Sequence, residues 1–237
     1  MKKILLTLLL SIGLIGCSSL ELEPVSSSID ETQRILSLNL THEENLVEAS
    51  KLESSHAVRI VTGQLNNMRD EKIKADKDII ESAEVAEMVI VSDDKLSFTG
   101  PQVSKTIATG ILLGDSDVQN YYLKGIKNIN SDSIQHQLQL TIVHNSKDRR
   151  NYSSVNLCDK WGRCDVEQGK VILVSASASG CSPDTCNFNE VMELSLSDNF
   201  LRSQLDNGFT LLFNSKKDTN KVKISSAYLK GYLQVAN

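Results

Sequence analysis

The sequence has 237 residues, with 25 Lys+Arg against 30 Asp+Glu and five cysteines. This length is enough for a domain whose buried core needs no disulfide to fold. The formal charge of −5 argues against a general nucleic-acid binder, because such a protein needs a basic surface to replace the counterions on phosphates. With 40% hydrophobic and 23% charged residues, the chain is neither disordered nor a multi-span membrane protein.

The longest apolar run lies at the N-terminus, where Lys2 and Lys3 precede the apolar segment 4–15. Twelve residues in a helix span about 18 Å, which is shorter than the roughly 30 Å hydrocarbon core of a bilayer. The run is therefore better interpreted as the hydrophobic region of a secretory signal peptide than as a permanent transmembrane anchor.

The apolar run ends in Leu14-Ile15-Gly16-Cys17, which two serines follow. This motif resembles the lipobox of bacterial lipoproteins, whose signal peptide is cleaved before the cysteine. The resemblance implies that residues 1–16 are removed and that Cys17 carries a diacylglycerol and an acylated amino group. Two or three acyl chains anchor a protein stably to a membrane. The serine that follows the cysteine resembles the pattern for export to the outer membrane, with the chain facing the periplasm or the cell surface.

An ordinary signal peptide, with Cys17 as an unmodified thiol, is the alternative interpretation. Cleavage before Cys17 removes Lys2 and Lys3 and leaves 23 basic against 30 acidic residues, a charge of −7 over 221 residues. This negative charge argues against electrostatic docking on anionic lipid, so the membrane contact that we expect is the N-terminal lipid alone.

The residues after the lipobox divide into a tether and a domain. Residues 17–28 are polar and include Pro24 and three consecutive serines, a composition typical of a flexible tether. We predict that residues 29–237 form one mature domain, with a mainly helical part at 29–95 and a β-rich part at 96–237.

Two capping-box motifs, Ser28-x-x-Glu31 and Thr41-x-x-Glu44, predict helix starts in the helical part. The segment 56–65 is ambiguous. Its β-branched residues favour a strand, whereas its apolar residues also continue a helical stripe.

In the β-rich part the apolar residues recur with the period of a strand. Residues 134–144 alternate between an apolar and a polar face, as in an antiparallel sheet with one side on the core. In a second strand the even-numbered residues from Ile172 to Ala178 are predicted to share one face. The full set of further predicted elements is strands at 170–179, 188–197, 208–214 and 221–225, a short helix capped by Ser197, and a closing helix with Tyr228, Leu229, Tyr232 and Leu233. The predicted fold class is α+β, with a mainly antiparallel, sandwich-like β part, a helical N-terminal part and short helices near the C-terminus.

Lipidation of Cys17 leaves four cysteines, and an even number in an exported chain points to disulfides. Cys158 and Cys164 flank a turn-like pentapeptide, and Cys181 and Cys186 flank Ser-Pro-Asp-Thr between two predicted strands. Each pair can therefore lie within bonding distance, and we predict the two local bridges 158–164 and 181–186. A zinc site is the alternative, although it needs tighter spacing and a reducing compartment.

Three ionisable side chains fall on the predicted core faces. His136 and His144 are eight residues apart, or about 26 Å at about 3.3 Å per residue, so they cannot bind one metal ion. We interpret them as half-buried imidazoles at the two ends of the core. For Glu190 we expect a carboxylate at the rim that accepts backbone N–H groups of its hairpin, with a functional role as the alternative. The segment 181–194 is similar to the C-terminal part of uncharacterised proteobacterial lipoproteins, a resemblance that implies no activity.

The sequence contains no recognisable catalytic motif, and we expect no metal ion and no cofactor. Ser92-Asp-Asp-Lys95 and Ser197-Asp198-Asn199 match two motifs of penicillin-binding enzymes, but the third, Lys-Thr-Gly, does not follow them. Trp161 lies inside the predicted Cys158–Cys164 loop, where an exposed indole can anchor a partner. The alternative is that the indole folds back onto the sheet.

The leading hypothesis is a non-catalytic envelope lipoprotein that binds a protein or glycan partner or assists envelope assembly. The alternative is a hydrolase of envelope polymers, whose two catalytic carboxylates would lie about 5–10 Å apart in a pocket.

Overall fold

A computed structural model of the chain describes residues 25–104, 117–130 and 133–236. Cys17 and the predicted signal peptide, residues 1–16, lie outside the described residues. Within the described residues, no helix combines the length and the apolar character that crossing a membrane requires.

The chain consists of two compact units, divided between Ile73 and Lys74. The described part of the first unit is helical. The second is built mainly from antiparallel strands. The predicted α+β class is therefore confirmed, with a helical N-terminal part and a mainly β C-terminal part.

Three helices begin the described chain: α1 (Val25–Leu36), α2 (His42–Ser50) and α3 (Ser55–Met88). Thr41 caps α2 in a complete capping box, as predicted. Its hydroxyl accepts the N–H of Glu44 at 3.3 Å, and the Glu44 carboxylate accepts the N–H of Thr41 at 2.9 Å. The ambiguous segment 56–65 lies within α3 and is helical. In the first unit the apolar faces of these helices enclose a small core of Ile35, Ala49, Val61 and Leu65.

The predicted capping box at Ser28 is wrong. Helix α1 begins at Val25, so Ser28 lies inside the helix and the last four residues of the predicted tether are helical. The Ser28 carbonyl accepts the hydroxyl of Thr32 at 2.9 Å, an ordinary bond across one helical turn. The sequence could not distinguish a serine before a helix from one in its first turns, because both positions permit such local bonds.

The second unit contains two antiparallel sheets. The strands are β1 (Ile90–Val91), β2 (Ser97–Thr99), β3 (Val103–Ser104), β4 (Val118–Asn128), β5 (Ser133–Ser146), β6 (Ser154–Cys158), β7 (Val166–Lys170), β8 (Ile172–Ser179), β9 (Cys186–Ser197), β10 (Phe209–Asn214) and β11 (Thr219–Ile224). One sheet has the order β1-β2-β4-β5-β9-β8, with β3 also paired to β4, and the other has the order β11-β10-β6-β7. Their apolar faces share one core, and each of the predicted strands is present.

Two short helices complete the second unit: α4 (Asp198–Ser203) and α5 (Ser226–Val235). Ser197 caps α4, as predicted, because its hydroxyl accepts the N–H of Phe200 at 3.1 Å. Helix α5 is the predicted closing helix, and its two tyrosines belong to the shared core. The Tyr228 hydroxyl accepts the N–H of Leu123 at 3.1 Å and donates to the Pro101 carbonyl at 3.0 Å.

Strand β8 forms an outer edge of its sheet, and the predicted alternation is wrong there. Leu173 pairs with Met192 and Ala176 pairs with Glu190, so Val174 is an extra residue in a bulge between them. The bulge places the odd-numbered Leu173 on the same face as the even-numbered Ala176. Leu173 is 42% exposed and Val174 is 51% exposed, so this apolar strand contributes little to the core.

Candidate functional site

Both predicted cysteine pairs form disulfides in the structure. The bond Cys158–Cys164 closes the loop between β6 and β7, and the bond Cys181–Cys186 closes the turn between β8 and β9. The four thiols are therefore not available as zinc ligands. No group of His, Cys, Asp and Glu among the described residues has the arrangement of a metal site.

The loop closed by Cys158 and Cys164, here called the Trp161 loop, has a fixed internal structure. The carboxylate of Asp159 accepts the backbone N–H groups of Trp161 and Arg163, each at 2.9 Å. The same carboxylate accepts the side-chain N–H of Arg163 at 2.8 Å. The backbone carbonyl of Asp159 accepts the N–H of Gly162 at 3.0 Å. Gly162 has a φ of +83°, which glycine adopts without strain. Although desolvation opposes the change, the bonds from Arg163 and Trp161 lower the pKa of Asp159.

Trp161 is largely exposed to solvent. The residue is 73% exposed, and the ammonium group of Lys160 lies 4.9 Å from the ring centroid. Of the two interpretations that the sequence allowed, the structure therefore shows the exposed indole. Val166, at the beginning of β7, adds a second apolar side chain that is 62% exposed.

A cleft of about 810 Å³ lies over one end of β5 and β9, and His136 lines it together with Asp198 and Arg202. His136 Nδ1 contacts the Tyr232 hydroxyl at 3.0 Å, and Nε2 contacts Asp198 Oδ1 at 3.2 Å. Arg202 donates to the other oxygen of Asp198 at 2.7 Å. Gly125 makes the Tyr232 contact possible, because a Cβ there would lie 2.6 Å from the tyrosine hydroxyl.

These contacts give His136 a structural role. Its residue is only 1% exposed, where the sequence predicted a half-buried ring. Burial lowers the pKa of His136, against the opposing effect of Asp198, so the neutral imidazole is favoured. Since both ring nitrogens contact protein groups, His136 offers no free nitrogen to a molecule in the cleft.

His144 and Glu190 form a second buried pair at the opposite end of β5. His144 Nε2 donates to Glu190 Oε1 at 2.8 Å, and the backbone N–H of Arg150 donates to the same oxygen at 3.0 Å. Phe188 stacks on the imidazole with 5.4 Å between ring centroids. His144 is 4% exposed and Glu190 is fully buried.

The predictions for this pair are therefore partly wrong. Glu190 does accept a backbone N–H, but it lies in the core rather than at the rim. The N–H comes from Arg150, between β5 and β6, and not from the hairpin of Glu190. The sequence showed that each side chain faces the core, but a single strand pattern cannot show that an acidic and a basic residue meet across strands.

Arg150 organises a polar network that the sequence did not reveal. Its guanidinium contacts Asp117 at 2.6 Å and Asp218 at 3.3 Å. The same group donates to the Tyr152 hydroxyl and to Asn220 Oδ1, each at 3.1 Å. Asp117 and the pair Asp218 and Asn220 lie far from Arg150 in the sequence, so no local motif indicated the network.

The acidic residues around the buried histidines and Arg150 give no pair of free carboxylates. Asp198 contacts Arg202 and His136, and Asp117 and Asp218 both bind Arg150. A general acid and a nucleophile need carboxylates that face a substrate. These three carboxylates are bound instead by basic groups of the protein, so the hydrolase alternative gains no support from their arrangement.

Neither a protein-family model nor a curated protein nor a solved structure matches this chain. The comparisons therefore lend no support to the lipobox resemblance at Cys17 or to the resemblance of the segment 181–194. The functional argument depends on the sequence motifs and on the geometry of the described residues.

Proposed function

We propose that this chain is a non-catalytic envelope lipoprotein, anchored to the outer membrane by lipid on Cys17, that binds a protein or glycan partner in the periplasm or at the cell surface. The observation that carries the binding role is the 73% exposed indole of Trp161 on a disulfide-closed loop.

An exposed tryptophan on a fixed loop is well suited to binding. Burying an aromatic side chain of this size removes about 150–250 Å² from water, and tryptophans are enriched among the residues that dominate binding energies. The Cys158–Cys164 bond and the contacts of Asp159 fix the backbone before any partner arrives. Binding therefore loses little conformational entropy in this loop.

The two disulfides support an extracytoplasmic location. Disulfides persist in oxidising compartments such as the bacterial periplasm and are rare in the reducing cytosol. An exported chain with a lipobox and four paired cysteines is consistent with this rule. The buried positions of His136, His144 and Glu190 support a role without catalysis, because these side chains bind each other or other protein groups.

Replacing Trp161 by alanine is expected to weaken partner binding without unfolding the protein. Truncation of a central aromatic anchor costs about 2 kcal/mol or more of binding energy, equivalent to about thirtyfold in affinity. A change at this exposed site should alter the free energy of unfolding by less than about 0.5 kcal/mol. The measurement is photo-crosslinking in cells, with a photoreactive residue at position 160 in chains with and without W161A.

Ile129 offers a matched control, since it is 75% exposed in the turn between β4 and β5. The variant I129A should keep the adducts that W161A loses. Adducts of equal yield in both variants and in the parent chain would contradict a role for Trp161 as the anchor.

The lipid anchor is tested by replacing Cys17 with serine, which removes the thiol that accepts lipid. The parent chain should incorporate a labelled fatty acid and remain in the membrane fraction, whereas C17S should incorporate none. Cys158→Ser serves as the control, because it removes another cysteine and should keep the label. A parent chain that is cleaved, unlabelled and released by washing would show an ordinary signal peptide instead.

A further inference from the structure

A second cleft, of about 530 Å³, lies between the connection from β5 to β6 and the turn from β10 to β11. It is lined by residues 146–151 and 216–218, and we call it the basic cleft. Five of its nine lining residues are basic and two are acidic, a local formal charge of +3. The whole chain has a charge of −5, so this cleft concentrates positive charge against the overall balance.

The two loops of the basic cleft are held together by Arg150. Its guanidinium bridges Asp117 and Asp218, at 2.6 Å and 3.3 Å. The turn itself is closed by the Ser215 hydroxyl, which accepts the N–H of Asp218 at 2.9 Å. Since the Asp218 carboxylate is paired with Arg150, Asp148 is the one other acidic residue lining the cleft beside the remaining cations.

Four further cations surround the cleft: Lys147, Arg149, Lys216 and Lys217. All four residues are exposed, and within the described ranges no carboxylate lies at ion-pair distance from any of them. Positive charges held around one concave surface repel each other and create a positive potential there. An anion with several charges relieves that repulsion more than a monoanion does.

We infer that the basic cleft binds a ligand with two or more phosphate groups. Arginine matches the oxygens of a phosphate with two parallel N–H groups, and lysines add mobile point charges. The volume of about 530 Å³ lies within the range of small-molecule sites, about 300–1,000 Å³. The site is distinct from the proposed partner anchor. In the four-stranded sheet Cys158 pairs with Thr210 at the first end of β10, whereas the basic cleft follows Asn214 at the other end.

Titration of the full mature chain, in neutral detergent, with inorganic tripolyphosphate tests this inference. Calorimetry should show saturable binding that is stronger than for orthophosphate and weakens steeply with added salt. Reversing two charges in K216E/K217E should lower the affinity at least about tenfold. The milder variant K216Q/K217Q should give a smaller loss, and unchanged thermal unfolding of either variant confirms that the fold is intact.

Lys72 and Lys74 provide the matched control, because they are two exposed lysines on α3 outside the cleft. K72E/K74E changes the net charge equally and should keep the affinity. Absence of tripolyphosphate binding at low salt, or equal losses in both double variants, would overturn the inference.

A second experiment measures binding to neutral vesicles with and without a bisphosphorylated lipid. Vesicle binding lost in K216E/K217E identifies a lipid headgroup as the source of the phosphates, and tripolyphosphate binding without vesicle binding identifies a soluble ligand.

Discussion

Replacing Gly231 by alanine is expected to destabilise the second unit by about 1–3 kcal/mol, although alanine is the better helix former. Gly231 lies in α5, where the last turns of α3 approach it closely. A Cβ at this position would lie 2.3 Å from the backbone oxygen of Ser82 and 2.7 Å from the Cβ of Val85. Backbone atoms of a helix cannot move aside as a flexible side chain can, so α5 itself must shift away from its site in the core.

Gly63 is the matched control, because it lies inside α3 and a Cβ added there would have no atom within 4 Å. Gly63→Ala should therefore stabilise the protein, by up to about 1 kcal/mol, through helix propensity alone. Urea unfolding followed by circular dichroism, with the disulfides intact, measures both changes. The free energy of unfolding is expected to rise in Gly63→Ala and to fall in Gly231→Ala. A stabilising Gly231→Ala would show that α3 and α5 do not pack as the structure has them.

The comparison of these glycines shows which parts of the fold the sequence could predict. Local patterns were sufficient where the cause is local. The alternation in 134–144 predicted β5, Thr41-x-x-Glu44 predicted a helix start, and short spacing predicted both cysteine pairs. Nothing in the neighbouring residues distinguishes Gly231 from Gly63, because the atoms that make one of them irreplaceable belong to another part of the chain.

The same reason explains what was missed in the candidate site. The exposed position of Trp161 depends on whether the sheet surface offers the indole a cavity, which no strand pattern records. The Arg150 network joins residues far apart in the chain, such as Asp117 and Asp218. The bulge at Val174 shifts the register of β8 by one residue, so the side chains on either side of it no longer alternate regularly between the two faces. A period-two pattern cannot show where a single residue is inserted.

Replacing Glu190 by alanine is expected to destabilise the second unit by about 3–5 kcal/mol, because two buried donors lose their acceptor and a cavity is left. Glu190 is fully buried, and its Oε1 accepts both His144 Nε2 and the backbone N–H of Arg150. Truncation leaves both donors without an acceptor in the core and adds a cavity. Glu190→Gln should cost less, about 1–2 kcal/mol, because the oxygen of the glutamine amide can keep both bonds. The NH2 group of the amide would take the position of Oε2, which has no hydrogen-bond partner.

Glu193 is the control on the same strand. It lies on the opposite face of β9, where its carboxylate is 3.6 Å from the Lys124 ammonium group and its side chain is 19% exposed. Loss of such an ion pair costs at most about 1 kcal/mol, so E193A should unfold at nearly the same urea concentration as the parent chain. A double-mutant cycle of Glu190→Ala with His144→Ala should give a coupling energy of about 1–3 kcal/mol, since the two side chains are in direct contact.

The Glu190 variants also connect the core to the basic cleft. Glu190 binds the N–H of Arg150, and the Arg150 guanidinium joins the two loops that line the cleft. E190Q, which keeps that bond, should therefore retain tripolyphosphate binding, whereas E190A should bind tripolyphosphate more weakly at a low temperature where the chain remains folded. Equal destabilisation by E190A and E193A would show that the buried contacts of Glu190 add nothing beyond an ordinary surface ion pair.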